Sequence, residues 1–146
     1  MSIPSAINTL ISLASIEADD AARRLGNAIR IGEESEHKLA LLHQYRDEYA
    51  ARFQAGMAAG LTAPGYRNFQ LFLDRLDQAI AGQQQIVRDA ARRVGEERKG
   101  WQESERKRKS YGTLADRAEQ KEQKMELKRD QKLTDEHAAR QAFYKR

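Results

Sequence analysis

Two long heptad repeats, separated by one short stretch at residues 56–65, constrain the fold of this chain most strongly. The stretch holds three of the nine glycines and one of the two prolines. Glycine allows the positive φ angles that a chain reversal needs, and proline cannot continue a helix that arrives from before it. We therefore predict a single coiled-coil domain, 1–146, with helices over about 5–57 and 66–140 and a bend at 56–65.

The first repeat predicts that helix one packs along one narrow line of residues, which we call its seam. Steps of four and three meet eleven apolar residues in fourteen positions, and the exceptions are Gly32, Ser35 and Arg46. A run of this length favours packing against one partner helix. The series is Ile7, Ile11, Ala14, Ala18, Ala21, Leu25, Ala28, Gly32, Ser35, Leu39, Leu42, Arg46, Tyr49 and Phe53.

The second repeat predicts a matching seam on helix two, dense as far as Val94 and thin afterwards. A third of all residues are charged, which together with heptad spacing is typical of a coiled coil. The fold class we predict is all-α, an antiparallel coiled-coil hairpin. The series is Tyr66, Phe69, Leu73, Leu76, Ile80, Gln83, Val87, Ala90, Val94, Glu97, Trp101, Ser104, Arg108, Tyr111, Ala115, Ala118, Glu122 and Met125.

A C-terminal helical overhang follows from the position of the bend. Folding near residue 61 places residue i of helix one opposite roughly residue 122 − i, so helix two has no partner beyond about residue 118. Residues 119–133 are polar on nearly every face, and an isolated helix of this kind is marginal in water. We therefore expect that something outside the hairpin completes this helix.

Catalytic and metal-binding signatures are missing from the sequence. There is no cysteine, which excludes disulfides and thiolate ligands, and the three histidines are scattered. No phosphate-binding glycine loop or HExxH motif occurs. We expect no enzyme activity, no metal and no cofactor. Residues 1–16 carry no ionisable side chain but lack the basic start of a signal peptide, so we expect a soluble, unsecreted protein.

Two features of the helices have alternative explanations. Leu10, Leu13, Ile29, Leu41 and Tyr45 fall outside the seam. They either widen the seam, which periodicity alone favours, or form a partner-binding strip. Inside the helices, the glycines at 26 and 95 are near partners in the folded register, which indicates either close backbone approach or local softness.

A basic run occupies residues 98–109, with six basic and two acidic side chains. These groups could neutralise phosphates while Trp101 stacks on a base, or the run could dock on an acidic protein surface. The simpler explanation is a solvated basic face with Trp101 in the seam, which its heptad position favours. A net charge of +4 does not by itself call for nucleic acid.

Short motifs along residues 6–140, with the helix lengths and the position of the bend, resemble the FliJ family of the bacterial flagellar type III export apparatus. None is specific alone, but their order and spacing match. They are Asp19-Asp20-Ala21-Ala22-Arg23, Leu25-Gly26, Tyr45 with Glu48-Tyr49, Asn68-Phe69-Gln70 with Phe72, and Gln131-Lys132 with Asp135-Glu136.

The resemblance implies a function in protein transport and flagellum biogenesis. FliJ proteins are small cytoplasmic coiled coils that resemble the central stalk of rotary ATP synthases. Their paired ends insert into the hexameric ring of the export ATPase FliI and promote its assembly and activity. They also bind the export gate protein FlhA and help to deliver export chaperones and substrates. The implied location is the bacterial cytoplasm, with recruitment to the membrane face at the flagellar base through protein partners only.

The resemblance also implies two sets of binding residues, and it changes the interpretation of Tyr45 from seam to partner strip. Two positions depart from the family's gate-binding pattern: relatives can carry Gln at the position of Lys38 and His at the position of Gln83. The residues implied for export-gate binding are Leu42, Tyr45, Tyr49, Phe72, Leu76 and Ala79, and those implied for ATPase binding are Gln120, Lys124, Arg129, Asp135 and Glu136.

Two other functions remain open from the residues. One is a generic helical-hairpin chaperone or scaffold that clamps clients and self-associates through its Ala-rich seam. The other is nucleic-acid binding through the basic run, which is the weaker of the two.

Overall fold

A computed structural model describes residues 2–145 of the chain, and the side chains of residues 5–145. Helix α1 spans Ser2–Ala58 and helix α2 spans Ala63–Tyr144. The described residues contain no strand. The predicted fold class, an all-α helical hairpin of two long helices, is confirmed.

Contacts between residues divide the chain into two units. The terminal unit comprises Met1–Asp19 and Gln102–Arg146, and the bend unit comprises Asp20–Trp101. Each unit pairs a part of α1 with a part of α2. That residues 1–146 form a single domain stays a prediction.

Most seam positions are buried as the heptad repeats predict, but three positions of the α2 series, Tyr66, Glu122 and Met125, are exposed. All fourteen seam positions of α1 are buried or half-buried, and so are the fifteen successive positions of α2 from Phe69 to Ala118. The most deeply buried are alanines: Ala14, Ala18 and Ala21 each expose no more than 2% of their surface. Because alanine is small, it allows the two helix axes to approach closely. In contrast, every residue from 119 to 145 is exposed.

Cross-helix ion pairs fit the predicted register within each unit. In the bend unit, Arg24 Nε lies 3.4 Å from Glu97 Oε2, and Glu97 is one residue from position 98, which the register places opposite Arg24. In the terminal unit, Lys107 Nζ lies 3.5 Å from Glu17 Oε2, and Lys107 is two residues from position 105, which the register places opposite Glu17. Glu97 is a seam position of α2, and Arg93 of the same helix also contacts its carboxylate at 3.0 Å. The charge at this seam position is therefore paired from both helices.

A second polar position in the seam is satisfied by hydrogen bonds. Ser35 is 5% exposed, and its Oγ donates to the carbonyl of Gly32 at 2.7 Å. The amide Nε2 of Gln83 crosses from α2 and donates to the carbonyl of Ser35 at 2.9 Å. Polar residues in a coiled-coil seam favour one register over others, because a shift leaves them unpaired. Gln83 is therefore directed into the hairpin rather than towards a partner.

The glycines of the bend have different functions. Gly60 has a φ of 90°, which other residues rarely adopt, and it follows the end of α1. At Gly56 a Cβ would lie 2.8 Å from Leu61 Cδ1, and at Gly65 it would lie 3.3 Å from Leu61 Cγ. Both therefore make room for the leucine side chain. Thr62 caps the N-terminus of α2, because its Oγ1 accepts a hydrogen bond from the backbone N–H of Gly65 at 3.3 Å.

Close backbone approach at Gly26 and Gly95 was the wrong explanation for these glycines. A Cβ built on either residue meets no other atom within 4 Å, and both residues are exposed. Their positions are close to the predicted register, but they lie on the outer side of the seam.

Substitution of two glycines should have opposite effects on stability. Gly60→Ala should destabilise the hairpin by about 1–2 kcal/mol, because a side chain disfavours the left-handed conformation. Gly82 lies in the interior of α2, and no atom of α1 lies within 4 Å of its Cβ position. Gly82→Ala should stabilise it by about 1 kcal/mol, since alanine has the higher helix propensity. Urea unfolding measures both, and equal effects would exclude a conformational requirement at Gly60.

Candidate partner-binding surfaces

An aromatic cluster joins α1 to α2 next to the bend. The rings of Tyr49 and Phe72 stack with centroids 4.1 Å apart and an interplanar angle of 29°. Tyr49 also lies 5.4 Å from Phe69, and Phe53 packs against Phe69 and Tyr66 at 5.6 and 5.3 Å. Such pairs contribute about 0.5–1.5 kcal/mol each beyond the area they bury. The cluster therefore holds its exposed members in fixed positions.

The six residues implied for gate binding all lie in the bend unit and differ in exposure. Stacking brings Tyr49 and Phe72 together, while Tyr45 exposes 55% of its surface and Phe72 exposes 40%. Three of the six side chains are therefore accessible to a partner without separation of the two helices. The half-buried members are Leu42, Tyr49 and Leu76, and the exposed members are Tyr45, Phe72 and Ala79.

A widened seam was the wrong explanation for most of the apolar residues outside the series. Leu10, Leu13, Leu41 and Tyr45 are exposed, and only Ile29 is half-buried. Tyr45 is thus available to a partner and does not contribute to the packing between the helices.

A shallow groove beside the aromatic cluster was not predicted from the sequence. Leu71, which is exposed, lines it together with Asn68, Phe72 and Arg75 of the same helix. Their spacing of three and four residues places them on one face of α2. That spacing could have identified the groove, but the heptad series selects the neighbouring, packed face, from which Tyr49 and Phe69 also line the groove.

Arg46, the basic exception in the seam of α1, forms an ion pair across the hairpin. Its Nε donates to Asp77 Oδ1, and its Nη2 lies 3.5 Å from Asp77 Oδ2. The hydrogen bond from Arg46 is the main cause that lowers the pKa of the Asp77 carboxyl below its ordinary value. The same bond raises the pKa of Arg46.

The pair should give a measurable pH dependence. Because the ionised carboxylate accepts from Arg46, the folded pKa of Asp77 lies below the usual value of about 3.9. Its contribution to stability is therefore present above that value and lost as the pH falls through the folded pKa. Arg46→Gln should raise the pKa of Asp77 towards 3.9. A ¹³C NMR titration of Asp77 in the unaltered chain and in Arg46→Gln tests this prediction. Identical titration curves would exclude the ion pair in solution.

The C-terminal helix, residues 119–145, carries all five residues implied for ATPase binding. Gln131 Nε2 donates to Asp135 Oδ1 at 3.4 Å, which is a contact within one helix. At 1.5 Å per residue the five positions extend over about 24 Å, so they form no compact site. They are Gln120, Lys124, Arg129, Asp135 and Glu136, and each is exposed.

The basic run, residues 98–109, divides between the two units and is partly paired. Trp101 is half-buried at its seam position in the bend unit. In the terminal unit, Arg108 Nη2 lies 2.9 Å from Glu105 Oε2, and Lys107 pairs with Glu17. These contacts favour the interpretation of a solvated basic face with Trp101 in the seam.

Neither a metal site nor a membrane span is found in the part of the chain that the structure describes. No three His, Cys, Asp or Glu side chains are grouped so that they could hold a metal ion. Between residues 2 and 145, neither helix contains a segment that is both long and apolar enough to cross a bilayer.

These features define a class of protein, an antiparallel helical hairpin with an exposed C-terminal helix. Residues 4–146 match the family described as Flagellar FliJ protein. The chain is also 33% identical over 140 residues to the Flagellar FliJ proteins of Escherichia coli (strain K12) and Salmonella typhi, covering 96% of this chain and 95% of each relative. The chain belongs to the FliJ family, whose members are components of flagellar export.

Proposed function

We propose that this chain is a stalk-like activator of the export ATPase FliI that also docks on the export gate protein FlhA. It coordinates the delivery of export chaperones and substrates between them. Membership of the FliJ family supports a function in flagellar export, and one observation carries the proposal. Residues 119–144 are helical, yet every residue from 119 to 145 is exposed. A helix of this kind has no packing of its own and is suited to insertion into a partner.

The ATPase-binding part of the proposal concerns the C-terminal helix. Isolated helices gain most of their stability from tertiary packing, which residues 119–145 lack within the chain. Enclosure by the hexameric ATPase ring would supply that packing, and it would link binding of the helix to assembly of the ring. We assign the contacts to the exposed side chains of Gln120, Lys124, Arg129, Asp135 and Glu136.

The gate-binding part of the proposal concerns the bend unit. Binding hot spots are enriched in aromatic residues held in fixed positions. Tyr45 and Phe72 are exposed, and Phe72 is held by its stack on Tyr49. These two side chains are the proposed centre of the FlhA-binding surface, with Leu42, Leu76 and Ala79 beside them. Through these partners the chain acts in the cytoplasm and is recruited to the membrane face at the flagellar base.

A generic hairpin chaperone or scaffold is the alternative, and the packing does not favour it. Self-association through the Ala-rich seam would require alanines that face solvent. Ala14, Ala18, Ala21 and Ala28 are instead buried within the hairpin. Nucleic-acid binding has no supporting contact either, since Trp101 is half-buried.

The proposed function is tested by steady-state ATP hydrolysis of the cognate FliI, with the full chain titrated in. We expect turnover and ring assembly, seen by electron microscopy, to rise together until the ring is saturated. FliI alone at the same concentrations is the control. Unchanged turnover with no additional rings would contradict the proposal.

A further inference from the structure

The charges on residues 116–132 of α2 are separated onto two opposite faces. At about 100° per residue, five basic residues fall within a sector of about 80°, and five acidic residues fall within a sector of about 120° on the other side. The only other charged residue of the segment, Arg129, lies outside the basic face. The basic face consists of Arg117, Lys121, Lys124, Lys128 and Lys132, and the acidic face of Asp116, Glu119, Glu122, Glu126 and Asp130.

This separation places like charges next to each other along the helix. Residues four apart, such as Lys124 and Lys128 or Glu122 and Glu126, carry the same sign. Like-charged neighbours at this spacing destabilise a helix, whereas alternating signs would stabilise it. The arrangement is therefore unfavourable for the helix alone.

Ion pairing in the described part of the chain ends before this segment begins. Every described ion pair lies between Glu17 and Arg108, including pairs within one helix such as Arg30 with Glu34. Residues 119–132 are all exposed. The two faces thus present their charges to the surroundings.

We propose that the basic face of residues 116–132 binds an acidic protein surface, and that the acidic face fixes the rotation of the helix on it. The occupant is the ATPase of the proposed function, on which this inference rests. Opposite charges across an interface determine orientation, and like charges prevent the alternative docking. Because the hairpin fixes which way each face points, only one rotation of the C-terminal helix suits the partner.

Charge and symmetry favour this occupant over two others. The segment carries six basic and five acidic residues, so its net charge is close to zero, and it contains no aromatic side chain to stack on a base. In a two-fold dimer whose symmetry axis passes through the basic face, that face would oppose a second basic face. An acidic protein surface avoids both difficulties.

The test is a double charge reversal in the full chain, Lys121→Glu with Lys128→Glu. Both residues lie on the basic face but outside the five side chains assigned to the ATPase under the proposed function. Each change places opposite charges at helical spacing, so the helix should not be destabilised. Affinity for purified FliI, measured by calorimetry in low salt, should fall roughly tenfold, as two interfacial charges would give. The matched control is Arg52→Glu with Arg67→Glu, two exposed residues of the bend unit with the same change in net charge.

A second variant separates the faces from net charge. Adding Glu122→Lys and Glu126→Lys to the reversal restores the native net charge but leaves both faces with mixed signs, so binding should stay weak. Native affinity in either variant would overturn the inference while the proposed function stands. No FliI binding by the unaltered chain would overturn both. Loss of RNA binding or of self-association in the reversal variant, with FliI affinity retained, would assign the basic face to those partners and overturn the inference.

Discussion

Truncation after Ala118 should abolish stimulation of the export ATPase and leave the hairpin folded. Of the residues that the structure describes, it removes none that is even half-buried, because all the seam positions from Phe69 to Ala118 remain. The free energy of unfolding should therefore change by less than about 0.5 kcal/mol, as for surface changes. What the truncation removes is the helix that we propose the ring encloses, so turnover of FliI should return to its value without the chain.

Urea unfolding and ATP hydrolysis, measured on the same preparation, test this prediction. Truncation after Glu136, which keeps all five proposed contacts, is the matched control and should stimulate turnover. Full stimulation by the chain truncated after Ala118 would place the ATPase-binding surface in the hairpin instead.

Tyr45→Ala should weaken binding to the export gate by roughly tenfold or more, as at an aromatic hot spot, and should leave stability nearly unchanged. The side chain is 55% exposed and lies outside the seam. Tyr49→Ala should also weaken gate binding, but it removes the stack on Phe72 and the contact with Phe69. It should therefore destabilise the hairpin by about 1–3 kcal/mol as well.

The two tyrosines thus separate a binding effect from a folding effect. Affinity for the cytoplasmic part of FlhA by calorimetry, together with urea unfolding of each variant, measures both. Leu114→Ala, which alters an exposed apolar residue of the terminal unit, is the control and should change neither quantity. Native gate affinity of Tyr45→Ala would remove Tyr45 from the binding surface.

The seam and its end were predictable from the sequence because a two-helix packing is periodic. A residue of α1 and one of α2 meet every three or four positions, so the series from Ile7 to Phe53 is sufficient to identify the buried residues. The same spacing and the position of the bend predict the register, and with it the end of pairing at Ala118. No longer-range information is needed for these features.

The contacts around the bend were not predictable in the same way. Leu61 fits against Gly56 and Gly65 because of the side-chain rotamer it adopts, and a heptad pattern contains no such information. The ion pair of Arg46 with Asp77 explains a charge in the seam, but the predicted register places both Asp74 and Asp77 within two positions of the residue opposite Arg46. Periodicity alone favoured a wider seam at Tyr45; the resemblance placed it in a partner strip instead, and the structure shows that it is exposed.

The binding residues themselves were reached by resemblance and remain proposals. What the structure adds is their physical setting: a rigid aromatic stack beside Tyr45, and a C-terminal helix without packing. Each unit holds one of the two proposed surfaces. We therefore propose that ATPase activation and gate binding are separate functions of one chain.

The most direct test of that claim measures FliI turnover and FlhA affinity side by side for the full chain, the chain truncated after Ala118, and Tyr45→Ala. We predict that the truncated chain loses stimulation of FliI and keeps its affinity for FlhA, while Tyr45→Ala loses affinity for FlhA and keeps stimulation. Equal loss of both activities in both variants would contradict the account.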